Sequence, residues 1–197
     1  MNHKITLAAF DFDGTITAKD TFVEIIRFSK GTLRCYAGFL LFSPMLVAMK
    51  LKLYPNGKVK QQIFSFFFKG MKLTEFNKIC ESFAYRSVAC NAHIIKYIEQ
   101  HQKYGNKIVI ISASVENWLR PFAAKLGISD VIGTKLETDE NGILTGKFAS
   151  ANCYGQEKVN RLLEKFPDRN DYYLIAYGDS CGDRELLAFA DKRVLIK

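Results

Sequence analysis

The chain has 197 residues, 48% hydrophobic and 24% charged, which fits one globular domain or a domain with a smaller insertion and excludes a disordered or low-complexity chain. Its net charge of +8 sits between Lys30 and Lys78, where nine basic residues face one acidic residue, Glu75. Five cysteines without C-x-x-C spacing argue against a zinc or redox site, and the first segment enters a strand pattern without a signal-peptide core, so a reducing, cytoplasmic setting is expected.

Lys4 to Phe10 is a short apolar run, the pattern of a buried strand. Asp11-Phe12-Asp13-Gly14-Thr15 follows it directly. Thr21 with Glu24 predicts a helix-starting capping box, with Phe22, Ile25 and Ile26 on one face. Tyr36 to Met49 carries no charge over fourteen residues and is broken by Ser43 and Pro44. A straight membrane span needs about 20 apolar residues, so this run is too short to cross as one. Tyr54-Pro55-Asn56-Gly57 predicts a turn, and Ile63 to Phe68 packs four phenylalanines into six residues. Residues 18–87 thus predict a helical cap domain inserted in an α/β core made of residues 1–17 plus 88–197.

Lys107 to Ile111 predicts a second buried strand, followed by Ser112-Ala113-Ser114. Val115, Trp118, Leu119, Phe122 and Leu126 then recur at helical spacing; Gly127 marks the stop and Pro121 predicts a bend. Asp139-Glu140-Asn141-Gly142, between Leu136 and Leu144, predicts a hairpin turn. Gly155-Gln156-Glu157-Lys158 opens a helix with the stripe Val159, Leu162, Leu163 and Phe166, ended by Pro167. Leu174 to Tyr177 is a strand leading into Gly178-Asp179-Ser180-Cys181-Gly182-Asp183, and Val194 to Ile196 is the last one. The fold class read from this order is α/β, a Rossmann-like parallel sheet with an inserted helical cap after the first strand.

The chemistry gathers at strand ends, where open parallel sheets bind ligands. Asp11 and Asp13 stand one residue apart. One carboxylate can attack phosphorus covalently while the other protonates the leaving group. On its own the pair also reads as an acidic surface turn. Ser112 offers a hydroxyl next to a helix start expected to present free backbone N–H groups. Lys158 sits in a first helical turn, a mildly unfavourable place for a cation, which suggests a phosphate partner as readily as a solvated lysine. Asp179 and Asp183 repeat the acidic loop. Mg²⁺ takes one or two carboxylates with water and phosphate, and Asp11 with Asp179 would make such a pair.

An Asp loop, Ser, Lys and a second Asp loop, in that order at four strand ends, resemble the haloacid dehalogenase superfamily of phosphatases. The resemblance implies Asp11 as nucleophile, with Asp13 as general acid/base and donor of a backbone carbonyl to Mg²⁺. It implies phosphate binding by Ser112, with Ala113 beside it, and by Lys158. It places Asp179 on the metal and Asp183 in support. The early helical insertion, Gly142-Ile143-Leu144-Thr145-Gly146 and Gly155-x-Glu157-Lys158 are similar to the phosphoserine-phosphatase-like group, subfamily IB. The chain departs from true phosphoserine phosphatases at Asp20 (usually Glu), at Ser112-Ala113-Ser114 (usually Ser-Gly-Gly) and at Gly182 (usually Asn). Asp20 is expected near substrate or as a helix cap. The uncharged, then basic and aromatic insertion is similar in character to membrane-associated phosphatidylglycerophosphatase C-type members.

The expected activity is Mg²⁺-dependent hydrolysis of a phosphomonoester, either a lipid phosphate or a small organic phosphate such as phosphoserine. Residues 30–78 would meet an anionic membrane at its inner face, or else form a buried helical hairpin with solvated lysines. Nucleic-acid binding is not expected, because the aromatics cluster in apolar runs instead of alternating with lysines. A catalytically idle scaffold is disfavoured, because every catalytic position is filled. His3, His93 and His101 are isolated, Trp118 reads as core, and Cys181 has no visible general base.

Overall fold

A computed structural model describes residues 4–86 and 89–196. Five parallel strands form one sheet in the order β3-β2-β1-β6-β7. They are β1 (Ile5–Phe10), β2 (Lys107–Val115), β3 (Asp130–Thr134), β6 (Tyr172–Gly178) and β7 (Lys192–Leu195). A separate antiparallel hairpin pairs β4 (Leu136–Thr138) with β5 (Leu144–Phe148).

Strand side chains alternate between the two faces of the sheet. Ala8 and Phe10 of β1 join one apolar cluster, with Ile108 and Ile110 of β2. Leu7 and Ala9 join the other, with Val109 and Ile111. Both faces are therefore covered, which is why these strands read as unbroken apolar runs. The first face receives α6 (Ala92–Lys103) through Ile94 and Ile98, and α7 (Glu116–Lys125) through Trp118, Leu119 and Phe122. The second receives α8 (Gln156–Lys165) through Val159 and Leu162, and α9 (Arg184–Phe189) through Leu186 and Leu187.

Between β1 and α6 lie five helices: α1 (Thr21–Lys30), α2 (Thr32–Leu41), α3 (Ser43–Lys50), α4 (Asn56–Phe68) and α5 (Leu73–Arg86). Their phenylalanines extend the first cluster. Phe64, Phe68 and Phe76 meet with ring centroids 5.0–5.7 Å apart, and Phe76 reaches Trp118 of α7 at 6.4 Å. The hairpin ties into α4, since Phe148 donates its backbone N–H to Gln61 at 3.0 Å. The expected return to the core at residue 88, and His3, lie outside the described residues.

Several local expectations change. Asp20, not Thr21, caps α1: its carboxylate accepts from the Phe22 N–H at 2.9 Å, and Thr21 is the first helical residue. Asn56 and Gly57 form the first turn of α4 instead of completing a loop turn. α7 runs through Pro121 to Lys125. Strand β2 continues past Ile111 to Val115, because its pairing with β3 resumes after an irregularity, with Val115 opposite Thr134. The polar Ser112 and Ser114 conceal this extension. β3 itself, Asp-Val-Ile-Gly-Thr, is too short and too glycine-interrupted to stand out in sequence. His101 is a satisfied core histidine, 2.8 Å from both the Tyr177 hydroxyl and Asn106.

Candidate active site

A cavity of about 430 Å³ opens at the carboxyl ends of β1, β2 and β6. Asp11, Asp13, Asp20, Ser112, Ala113, Lys158 and Asp179 all line it. Asp183 does not: it is fully buried behind Lys158 and the Asp179 loop.

β1 delivers Asp11 into the floor, where its backbone N–H donates to Tyr177 of β6 at 2.9 Å. The next turn needs glycine twice over. Gly14 has φ +82°, and a Cβ there would stand 2.3 Å from an Asp179 carboxylate oxygen. Only glycine lets the two acidic loops approach this closely.

Lys158 is 2% exposed and donates to Asp11 and to Asp183, each at 2.5 Å. A buried ammonium between two carboxylates explains a cation in the first turn of α8, against the helix dipole. Burial works against the charge, but Asp11 and Asp183 together hold the lysine pKa above its ordinary value. Burial also dominates at Asp11. It outweighs the neighbouring Lys158 and, with Asp183 and Asp13 adding repulsion, pushes the carboxyl up to about 7. Asp179 is raised by burial and by Asp183.

Asp183 holds the loop from behind. One oxygen accepts from Ser180 (N–H at 3.0 Å, hydroxyl at 2.9 Å) and from the Asp179 N–H at 3.3 Å, and the other accepts from Lys158. Its two oxygens are thus engaged, and its geometry is that of an orienting group, not of a side chain that faces the cavity. A Cβ at Gly178 would lie 2.6 Å from the Asp183 Cβ, so this packing also requires glycine.

Asp13 is gripped by residues that the sequence reading did not assign to the site. Thr21 donates to one oxygen through its N–H at 2.7 Å and its hydroxyl at 2.5 Å. Ser114 donates to the other oxygen. Trp118 in turn donates its indole N–H to the Thr21 hydroxyl at 3.2 Å. The first residue of the inserted helices is therefore bonded to the second acidic residue of the loop. The only signal in sequence was Thr21 itself, which also reads as a cap.

Ser112 is buried, and its hydroxyl oxygen accepts from the Ser114 N–H at 3.1 Å, leaving the hydroxyl proton to donate elsewhere. The helix start expected beside it is displaced: Ser112 lies within β2, and α7 begins only at Glu116. The Ala113 carbonyl is already occupied, by Lys60 at 3.0 Å and Thr134 at 2.9 Å. Lys60, from α4, enters the site unannounced, one cation among many in a basic segment. It lies over the Phe22 ring at 5.3 Å. Asp20 caps α1 and faces the same end of the cavity; burial and Asp13 raise its pKa, against the pull of Lys60. Phe22, Val23, Phe39, Leu46, Met49 and Ile63 make an apolar part of the wall, alongside the polar Lys19, Asn56, Tyr154 and Ser180.

The residues present suit a divalent cation. Ligand oxygens of Asp11, Asp179 and Asp183 lie within 4.8 Å of one another. Three carboxylates against the single Lys158 ammonium leave two negative charges uncompensated; burial first, and then repulsion from Asp183, raise the pKa values of Asp11 and Asp179. Of these three, Asp183 is engaged behind the loop, and Asp11 and Asp179 face the cavity.

A family model described as haloacid dehalogenase-like hydrolase matches residues 8–188. Protein CicA of Caulobacter vibrioides is 35% identical over 196 residues, covering 98% of this chain and 86% of that protein. A protein of unknown function from Bordetella pertussis Tohama I superposes with a TM-score of 0.83 at 16% identity, over 98% of this chain and 90% of the other. A phosphoserine phosphatase solved as a phospho-aspartyl intermediate analogue superposes with a TM-score of 0.66 at 17% identity, over 98% and 86%. At such identities the two structures show a shared fold.

Proposed function

The chain belongs to the haloacid dehalogenase-like hydrolase family, and from that premise we propose that it is a Mg²⁺-dependent phosphomonoesterase acting through Asp11. The observation that carries this is the Lys158 ammonium set between Asp11 and Asp183, with Asp179 alongside and the cavity directly above. The early five-helix insertion supports placing the chain beside the phosphoserine-phosphatase-like members.

Lys158 and the Ser112 hydroxyl hold the phosphoryl oxygens, and Lys158 also fixes the Asp11 carboxylate beneath the phosphorus. An Asp11 oxygen attacks in line, forming the acyl phosphate as the P–O bond to the leaving group breaks. Asp13, as general acid, gives a proton to that leaving oxygen. It then takes a proton from the water whose oxygen attacks the acyl phosphate, releasing inorganic phosphate and the Asp11 carboxylate. Thr21 and Ser114 suit both protonation states of Asp13, because each hydroxyl can donate or accept. Bound Mg²⁺, held by Asp11 and Asp179, would supply positive charge that offsets repulsion between the Asp11 carboxylate and a phosphate dianion.

The leaving group meets the far end of the cavity, where apolar side chains dominate. An amphiphilic phosphate, such as a lipid phosphate, fits that wall. A small aminophosphate such as phosphoserine is the second reading, favoured by Asp20 and Lys60, which would face its ammonium and carboxylate. The test is a substrate panel with Mg²⁺: phosphatidylglycerophosphate, a short-chain alkyl phosphate, phosphoserine and p-nitrophenyl phosphate. The amphiphiles are expected to exceed phosphoserine in kcat/KM by at least about tenfold, a difference of about 1.4 kcal/mol, less than two buried methylenes supply. Faster turnover of phosphoserine would select the second reading, and no turnover of any member would reject the phosphatase.

A further inference from the structure

The outer face of the inserted helices is apolar where a protein surface is ordinarily polar. Leu33, Tyr36, Leu40 and Leu41 of α2 recur at helical spacing, a stripe that normally faces a core. Here they face outward: Leu33 is 84% exposed and Leu40 75%. Val47 of α3 is exposed too, as are Leu51 and Leu53 just after it, and no residue of α3 is fully buried. Residues 28–66 hold nine of the fifteen exposed large hydrophobic side chains among the described residues, so this is a patch and not scatter.

A groove runs beside that stripe, with a volume of about 580 Å³, lined by Lys30, Arg34, Ala37, Gly38, Leu41, Phe66 and Phe67. A side chain at position 38 would close it inward, since a Cβ there would stand 2.3 Å from the Phe67 ring. Lys30 ends α1 and Arg34 lies in the first turn of α2, on either side of Gly31; both line the groove and neither makes an ion pair among the described residues. No acidic residue occurs between Glu24 and Glu75. Apolar walls carrying two cations complement an anionic amphiphile. Among the described residues no single helix is long and apolar enough to cross a membrane, and α2 and α3 meet at a 61° bend. A straight span needs about 20 apolar residues, more than the ten of α2 or the eight of α3, and the exposed stripe suits helices lying in an interface.

We propose that the outer face of α2 and α3 docks on an anionic lipid bilayer, with the headgroup phosphate of one lipid at Lys30 and Arg34 and its chain along the groove. The inner side of the same two helices supplies Phe39, Leu46 and Met49 to the catalytic cavity, so docking would set the mouth of the site at the lipid surface. The docking itself does not depend on the phosphatase reading.

The experiment is co-sedimentation of the full chain with vesicles of mixed phosphatidylglycerol and phosphatidylcholine, and with phosphatidylcholine alone. Binding is expected to the anionic vesicles only, and the Asp11→Asn variant should bind as the parent does. Leu33→Ser with Leu40→Ser should abolish binding. Lys30→Gln with Arg34→Gln should weaken it roughly thirtyfold, from about fivefold per basic residue near the surface. Unchanged melting temperatures confirm that both pairs fold, since none of the four side chains is buried. No binding to anionic vesicles, or binding indifferent to both pairs, would overturn the proposal. So would a stable dimer dissolved by the Leu33/Leu40 pair without vesicle binding, which would make a second copy of the chain the occupant.

Discussion

Asp11→Asn is expected to lower p-nitrophenyl phosphate turnover by at least about 10⁴-fold, as removal of a nucleophile from an interdependent site does. The same substitution is expected to stabilise the metal-free protein at pH 8. Burial raises the Asp11 carboxyl from 3.8 to about 7 in the folded chain. Between those values the folded state keeps a proton that the unfolded state has released. Stability therefore falls as pH rises from about 4 to about 7, by linkage. Asparagine removes that dependence, so the variant should gain about 1–3 kcal/mol at pH 8, with the gain vanishing below about pH 4. Thermal melts across that range, without Mg²⁺, measure it. A variant less stable than the parent at pH 8 would show that Lys158 compensates Asp11 fully and that no charge deficit awaits a cation.

Lys158→Met is expected to act in the opposite direction and with larger effect on stability. Lys158 is the cation shared by Asp11 and Asp183, both buried. Removing one partner of a buried ionic group costs about 3–5 kcal/mol, because the remaining charges lose their counterion. Protonation relieves that repulsion. Without Lys158 the Asp11 carboxyl of the folded variant rises still further, so the deficit should be largest above pH 7 and shrink as pH falls through that raised value toward 5. Denaturant unfolding at pH 7.5 and at pH 5 separates the causes. An equal deficit at both would assign the loss to packing instead of charge. If Lys158 holds the phosphate as proposed, activity should fall by about 10²–10³-fold or more.

The candidate site was legible in sequence because ligand-binding groups in an open parallel sheet gather at strand ends, and strands buried on both faces announce themselves as apolar runs. Asp11, Ser112, Lys158 and Asp179 are each the polar exception after such a run or at a helix start, and all four line one cavity. The partners of Asp13 were less legible. Ser114 and Thr21 are 93 residues apart and meet only through the fold, with Trp118 closing the network. Thr21 resembled a cap because serine, threonine and aspartate serve caps and side-chain networks equally well. Asp183 and Asp179 look alike as letters, yet one is wholly buried and bonded through both oxygens while the other faces the cavity. Periodicity also gave the apolar stripe of α2 without its direction. Only the packing of Cys35 and Gly38 inward shows that Leu33 and Leu40 point out.

The central claim is that Asp11 becomes covalently phosphorylated. Acid-quenching the enzyme during turnover and reducing it with borohydride converts an aspartyl phosphate to homoserine, which peptide mass spectrometry locates. Homoserine at position 11, dependent on substrate and Mg²⁺, is the predicted result. An unmodified position 11 throughout turnover, or homoserine at position 13 or 179 instead, would contradict it.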